Sequence, residues 1–336
     1  MEHYARKRPP TPRRAAFDIY WHFAAERQAA FEKRSAGMPG PWTEDVILQE
    51  YKFCNVFRAA DRVSQYLISQ VIYNGENLTD EDALFQIVAF RMFSNIDTWR
   101  GLIEHLGRPP VLRDVVNGKM EAALNDIRRK NGKLYTGAFI LCANKAYGFD
   151  EKHRNHLALF KEMFLKGKLA QALMKAKSLC AIVELLESYP LMGPFMSYQI
   201  AIDLNYSALI NFSENDYTQA GPGAQRGIAK VFESLGDFST ADTIQWMVER
   251  QKEEFAARGL VFKGLWGRPI HAIDAQGLFC ETDKYCRQAL PQLKSNRTRI
   301  KAKFAPAAER IEYFFPPKWG INERINAPAA SNVRPR

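Results

Sequence analysis

Apolar residues recur at intervals of three and four along most of this chain, and the helices they predict fill nearly its whole length. From Thr43, read as an N-cap ahead of Glu44 and Asp45, the pattern runs through Val46, Ile47, Tyr51, Val56 and Phe57. A second stripe of Val63, Tyr66, Leu67, Val71 and Ile72 closes at Asn74-Gly75. Further helices are predicted over 80–93, 97–106, 111–125, 138–147, 151–163, 169–188, 195–205, 224–235 and 239–258, and within 271–288. An amphipathic patch at 15–33 precedes a break at Ser35-Ala-Gly-Met-Pro-Gly-Pro41. Alternating β-branched runs are scarce, leaving at most a short hairpin near 260–266, and no solenoid-like period repeats. The predicted fold class is all-α, a multi-helix globular fold. It is organised as a basic N-terminal arm and accessory helix (1–40), a helical catalytic and DNA-binding domain (41–315) and a mobile C-terminal tail (316–336).

Charge narrows the partner. The chain has 47 Lys+Arg against 37 Asp+Glu, a net +10, which favours a polyanion and above all nucleic acid. No apolar run is long enough to span a membrane, and the segment Arg6-Lys-Arg-Pro-Pro-Thr-Pro-Arg-Arg14 lacks the apolar core of a signal peptide, so a cytoplasmic location is expected. Five scattered cysteines read as reduced thiols, with Cys54, Cys142 and Cys180 as small core residues. His153 and His156 read as a solvated helix face, and no cysteine or histidine pair has a partner at zinc spacing, so no metal ligands are assigned.

Several clusters point to phosphate chemistry, although neither G-x-x-x-x-G-K-[ST] nor G-x-G-x-x-G occurs. Gly221-Pro-Gly-Ala-Gln-Arg-Gly227 reads as a tight turn whose amides approach a phosphate, with Gly221 and Gly223 supplying the backbone and Arg226 a guanidinium fork. Glu281, Asp283 and Lys284 place opposite charges beside Tyr285, where helix capping is the bland alternative. Arg58, Asp61 and Arg62 fall at helical spacing near Tyr66 and read as one polyanion-facing side, a surface ion-pair lattice being the alternative. Arg91 is a charge inside an apolar helix, either paired in the core or aimed into a cleft. Tyr189-Pro-Leu-Met-Gly-Pro-Phe-Met-Ser-Tyr198 has the form of a helix-hairpin-helix turn at Gly193, with Asp216 downstream at roughly the distance of a DNA-glycosylase aspartate. Lys294, Arg297, Arg299, Lys301 and Lys303 form a basic run suited to a DNA backbone.

Taken in order, Trp42-Thr-Glu-Asp45, Asn55-Val-Phe-Arg-Ala-Ala-Asp-Arg-Val-Ser-Gln-Tyr-Leu67, Phe90-Arg-Met-Phe93, Leu191-Met-Gly-Pro-Phe195, Gly221 to Gly227 and Cys280-Glu-Thr-Asp-Lys-Tyr285 resemble the alpha-glutamyl/putrescinyl thymine pyrophosphorylase family. The likeness covers about residues 40 to 305. These are helical phage proteins related to the helical domain of 5-hydroxymethyluracil DNA kinases, some of them described as amino acid:DNA transferases. The resemblance implies double-stranded DNA carrying pyrophosphorylated 5-hydroxymethyluracil as substrate, with a free amino acid or polyamine displacing pyrophosphate. Arg226 would then grip the leaving group, Asp216, Glu281 or Asp283 would take the proton of the amine, and Lys284 would neutralise charge or hold a carboxylate. Tyr66 or Tyr285 would stack on a flipped base. Magnesium near the pyrophosphate stays open, with no other cofactor expected. Two alternatives remain beside the transferase: a helix-hairpin-helix glycosylase, and a non-catalytic DNA-binding partner of a base-modifying kinase.

Overall fold

The computed structural model describes residues 7–136, 145–300, 302–305 and 311–325; the expected helix at 138–147 with Cys142, the residue Lys301 and the last part of the tail lie mostly or wholly outside them. The chain is all-α in character. Its helices are α1 (Arg14–Ser35), α2 (Val46–Glu50), α3 (Arg62–Tyr66, continued by a π-helical turn at Leu67–Ile72), α4 (Asp80–Phe93), α5 (Ile96–Leu106), α6 (Leu112–Val116), α7 (Lys119–Asn131) and α8 (Lys152–Phe160, with a π-helical turn at Lys161–Lys166). They continue with α9 (Leu169–Lys175), α10 (Leu179–Glu187), α11 (Pro194–Leu204), α12 (Pro222–Val231), α13 (Thr240–Ala257), α14 (Ala272–Ala289) and α15 (Asn322–Ile325). Two short strands, β1 (Thr11–Pro12) and β2 (Phe232–Ser234), pair antiparallel. Two compact units result, Met1–Asp61 with Ala220–Arg336, and Arg62–Gln219.

In the first unit α1 is a core element. Tyr20, Trp21 and Phe23 are buried, with Tyr20 4.7 Å from Phe279 and Trp21 edge-on to Phe255 at 5.0 Å between ring centroids. Lys7 and Arg8 of the basic arm are ion-paired to Asp242 and Asp237. Residues 7–40 therefore belong to this unit by packing, and the expected 41–315 domain falls into both units. The tail begins docked rather than mobile, since Phe315 and Ile321 are buried and Arg268 lies 3.8 Å from the Trp319 ring centroid.

The central contact of this unit is α12 on α14. A Cβ on Gly227 would stand 1.9 Å from the carbonyl oxygen of Phe279, and one on Gly223 2.3 Å from Cys280 Sγ. These two glycines, one turn apart, let the helix axes approach closely. Their requirement is helix packing, and a phosphate-cradling turn is not what they build. Gly221 is the N-cap of α12 with φ −71°, and Pro222 fills the first helical position, where its missing N–H is no loss.

In the second unit α4 is buried on all sides from Leu84 to Phe93, Gln86 and Arg91 included. Thr79 caps its start by accepting from the Asp82 amide at 3.2 Å, and Ser94 ends it in the left-handed region. Three predicted helices are shorter than their periodicity. The one from Thr43 is capped by Asp45 and stops at Glu50; 111–125 breaks at Gly118, which has φ 80°; and 169–188 breaks before the Ser178 cap. Each break comes from turn or cap residues that compete with an apolar pattern continuing on either side. His153 and His156 are buried, contrary to expectation, their rings bonded to Asn125 Oδ1 and Tyr135 Oη at 2.9 Å, and burial pushes His156 down to about 3.

Candidate functional site

Helix α14 carries six charged or hydroxyl side chains between Glu281 and Arg287, and the site is built around it. Asp274 fixes its start, accepting from the His271 amide at 3.1 Å and, through its other oxygen, from the Arg58 amide at 3.0 Å. The second bond ties the loop before the 3-10 turn Arg58–Ala60 to the helix.

On the α12 side, Asp283 is fully buried and surrounded by cations. Arg226 Nε is 3.1 Å away, Lys230 Nζ 2.9 Å and Arg287 Nη2 2.5 Å. Lys230 also donates to the Asp283 carbonyl at 3.2 Å. Burial alone raises a carboxylate, but the hydrogen bonds from Arg287 and Lys230 more than offset it and hold Asp283 below its ordinary value. Three cations on one carboxylate leave a surplus of two positive charges, with Arg226 at the partly exposed edge. Arg287 also donates to the carbonyl of Arg299 at 3.0 Å, so the exposed basic segment with Arg297 and Arg299 is tethered to this cluster.

The neighbouring side of α14 presents Glu281 and Lys284. Glu281 Oε2 accepts from the Cys54 amide at 3.0 Å and lies 2.6 Å from Lys284 Nζ, which sits 4.6 Å from the Phe53 ring centroid. The loop it holds is braced by Arg27, whose Nε donates to the Cys54 carbonyl at 3.1 Å and Nη2 to Asn55 Oδ1 at 2.6 Å. Asn55 closes the loop, its amide donating to Asp61 Oδ1 at 2.9 Å and its side chain to the Ala60 carbonyl at 2.8 Å. Desolvation pushes Asp61 up to about 6, against the lowering pull of the Asn55 amide and Arg27. A carboxyl poised there accepts a proton near neutral pH and can return it.

Beside this loop is a cavity of about 450 Å³ lined by Arg27, Arg34, Trp42, Tyr51, Phe53 and Phe304, among others.

The structure gathers Arg58, Asp61, Arg226, Glu281, Asp283, Lys284, Tyr285, Arg297 and Arg299 into the first unit, with changed roles for several. Asp61 has extended backbone between the 3-10 turn and α3, so Arg58, Asp61 and Arg62 do not share a helical face. Asp283 is saturated by cations and cannot serve as a base. Tyr285 is largely buried between Phe23 and Phe53 with its hydroxyl donating to Asp45 at 2.6 Å, and what remains of it lines a second cavity beside His22 and Asp45.

Arg62, Tyr66, Arg91, Gly193 and Asp216 belong to the second unit. Arg91 is the core-paired case, bound through Nε and Nη2 to buried Asp203. Tyr66 stacks on Phe90 with centroids 5.6 Å apart and lies under the Arg100 guanidinium, so its ring is used within the protein. The left-handed residue of the α10–α11 turn is Leu191, φ 69°, while Gly193 is the extended and exposed N-cap of α11. Asp216 is exposed, whereas Glu214 two residues earlier is buried.

Sequence reasoning missed Arg27, Asn55, Lys230 and Arg287. Lys230 and Arg287 stand four residues after Arg226 and Asp283, a spacing that was open to reading. Arg27 carries no such signal, because its partners come from a loop far from it in sequence.

A family described as "5-hmdU DNA kinase, helical domain" matches residues 14–295. A protein named 5-hmdU DNA kinase from Bacillus phage SP10 is 27% identical over 297 residues, covering 83% of this chain and 46% of that protein, so the chain spans about half the length of its relative. No solved structure matches the chain. The matched region takes in α1, the Cys54–Asp61 loop, α12 and α14, and with most of the 336 residues inside it the chain belongs to the family of 5-hmdU DNA kinase helical domains.

Proposed function

We propose that this chain is a DNA-modifying transferase of thymine hypermodification, which replaces the pyrophosphate of 5-pyrophosphoryloxymethyluracil in DNA with an amino acid or amine. The observation that carries this reading is the charge layout around α14 in a member of this family: a cluster with two surplus positive charges at Arg226, Lys230 and Arg287, and in the same unit a carboxyl at about 6 in Asp61.

In the proposed step the bond between the exocyclic methylene carbon and the bridging oxygen breaks, and its electrons leave with pyrophosphate. The amine nitrogen forms the new bond to that carbon and gives up one proton. Negative charge growing on pyrophosphate is met by the surplus cations, with Arg226 at the accessible edge offering a planar fork to two oxygens. Asp61 takes the proton, and this role passes to it because Asp283 is saturated and Glu281 is held by Lys284 and the Cys54 amide. Those same pairings leave neither Glu281 nor Asp283 suited to hold magnesium, so no step is assigned to the metal. Arg297 and Arg299, exposed and tethered through Arg287, meet the DNA backbone, and the α10–α11 turn supplies a helix-hairpin-helix-like contact.

The test is mass spectrometry of nucleosides from 5-hydroxymethyluracil DNA treated with a cognate kinase, this protein and a mixture of amino acids and polyamines. An adduct that requires both proteins is expected, and its mass names the amine. A surviving pyrophosphate ester would sink the transferase and favour a binding partner, while abasic sites would establish a glycosylase.

A further inference from the structure

The 450 Å³ cavity beside Arg27 is not used by the charge chemistry around α14. Four aromatic rings face it, those of Trp42, Tyr51, Phe53 and Phe304, in a volume within the roughly 300–1,000 Å³ range of small-molecule sites. Two arginines enter from α1. Arg34 lies with its guanidinium 5.3 Å from the Trp42 ring centroid, a cation on an aromatic ledge. Arg27 is anchored through Nε and Nη2, while its Nη1 has no hydrogen-bond partner among the described residues. One wall is the end of the basic run. The Lys52 amide donates to the Ala302 carbonyl at 3.0 Å and the Phe304 amide to the Glu50 carbonyl at 2.9 Å, so the segment that follows Arg297 and Arg299 folds onto the cavity.

Aromatic faces, a fixed guanidinium donor and a basic approach make a consistent set of demands on a ligand. It must be flat, must present an acceptor at its edge and must arrive on a polyanion. A polyamine meets none of these and is repelled by both arginines, while an aliphatic amino acid, whose carboxylate could accept from Arg27, has no flat face for the rings. We propose that the cavity receives a single pyrimidine nucleotide extruded from DNA. The ring stacks on the aromatic wall at Trp42 and Tyr51, a ring carbonyl accepts from Arg27 Nη1, and Arg34 faces the phosphate side. This rests on DNA being the substrate, as proposed above, and adds where its base is held. It also moves the stacking function from Tyr66, whose ring is stacked on Phe90, and Tyr285, packed between Phe23 and Phe53, to Trp42 and Tyr51, on whose rings lie the cations of Arg34 at 5.3 Å and Lys303 at 4.3 Å.

The experiment uses the full chain and a duplex with one 5-hydroxymethyluracil opposite 2-aminopurine, whose fluorescence rises when its partner leaves the stack; neither kinase nor amine is present. Binding of the unaltered protein is expected to raise the signal to a plateau. Trp42→Ala should lower the extruded fraction about tenfold, the loss of roughly one stacking contact. Gln49→Trp, at an exposed position on the rim, should do the same by filling the space, and it decides the matter where Trp42→Ala fails to fold. Arg297→Ala with Arg299→Ala should weaken binding without changing the plateau. No rise at saturation with the unaltered protein, or an undiminished plateau in the folded cavity variants, would overturn the proposal. A transferase assay that fails while these signals behave as expected would sink the group transfer alone.

Discussion

In the second unit buried Arg91 is bound through two of its nitrogens to the carboxylate of Asp203. In the first unit buried Asp283 is met by three cations, Arg226, Lys230 and Arg287. The titratable groups follow the same division. His156 of the second unit is driven down to about 3 by burial and stays neutral, whereas Asp61 of the first is raised to about 6, where its charge responds to ordinary changes in pH. A closed ion pair in an apolar core specifies packing and little else. A cluster with surplus charge and a half-buried acid at mid-range pH is costly to hold unless a ligand or a reaction uses it. That contrast, more than any single motif, is why the chemistry is assigned to the first unit.

The largest effects should come from activity variants of the first unit. Asp61→Asn is expected to lower turnover by about 10²–10⁴-fold, the usual range for a lost general base, with folding retained. In the unaltered protein kcat/KM should rise with pH and reach half its plateau near pH 6, and a profile without that inflection would remove Asp61 from the mechanism. The same group predicts a stability trend. Its folded value of about 6 lies above the ordinary 3.8, so the folded state holds the extra proton, and its contribution to stability is present at low pH and is lost as pH rises through that interval. Asp61→Asn should abolish that trend in denaturant titrations at pH 4 to 7. Arg226→Ala should then cost about 10²-fold in turnover with little change in midpoint, because its side chain sits at the partly exposed edge.

Two stability variants sharpen the comparison from the other side. Asp203→Ala removes the carboxylate that binds buried Arg91 through Nε and Nη2 in the second unit and should cost about 3–5 kcal/mol, read by chemical denaturation. A loss under 1 kcal/mol would mean that the pair is not buried as described. Gly227→Ala in the first unit sets a methyl against the backbone of Phe279 and should cost about 1–3 kcal/mol by forcing α12 from α14. Gly223→Ala should cost less, since the atom it meets is the Cys280 thiol, which can turn aside.

Much of the fold was readable from periodicity alone. The helix 80–93 was placed to the residue, because Leu84 to Phe93 are apolar or buried throughout and Thr79 marks the start. Overruns occurred where an apolar stripe continued past a local break, as at Gly118 and after Glu50. The site was half legible. Arg226, Glu281, Asp283 and Lys284 were chosen because charge density beside glycines is visible in a linear sequence, and they do cluster on α12 and α14. Asp283 reads differently in three dimensions because a carboxylate's availability depends on how many cations reach it, and two of the three there had not been considered.

The sequence by itself determined the all-α class, the positive charge and the family likeness, since each follows from local periodicity, summed charge or ordered motifs that need no third dimension. Only the tertiary structure decided that Gly223 and Gly227 serve a helix crossing, that Arg91 is spent on Asp203, and that Asp61, Arg27 and an aromatic cavity stand together. The physical reason is the same in each case. Burial, desolvation and ion pairing depend on which distant segments meet, and no spacing along the chain encodes the contact of Arg27 with Asn55 or of Glu281 with Cys54.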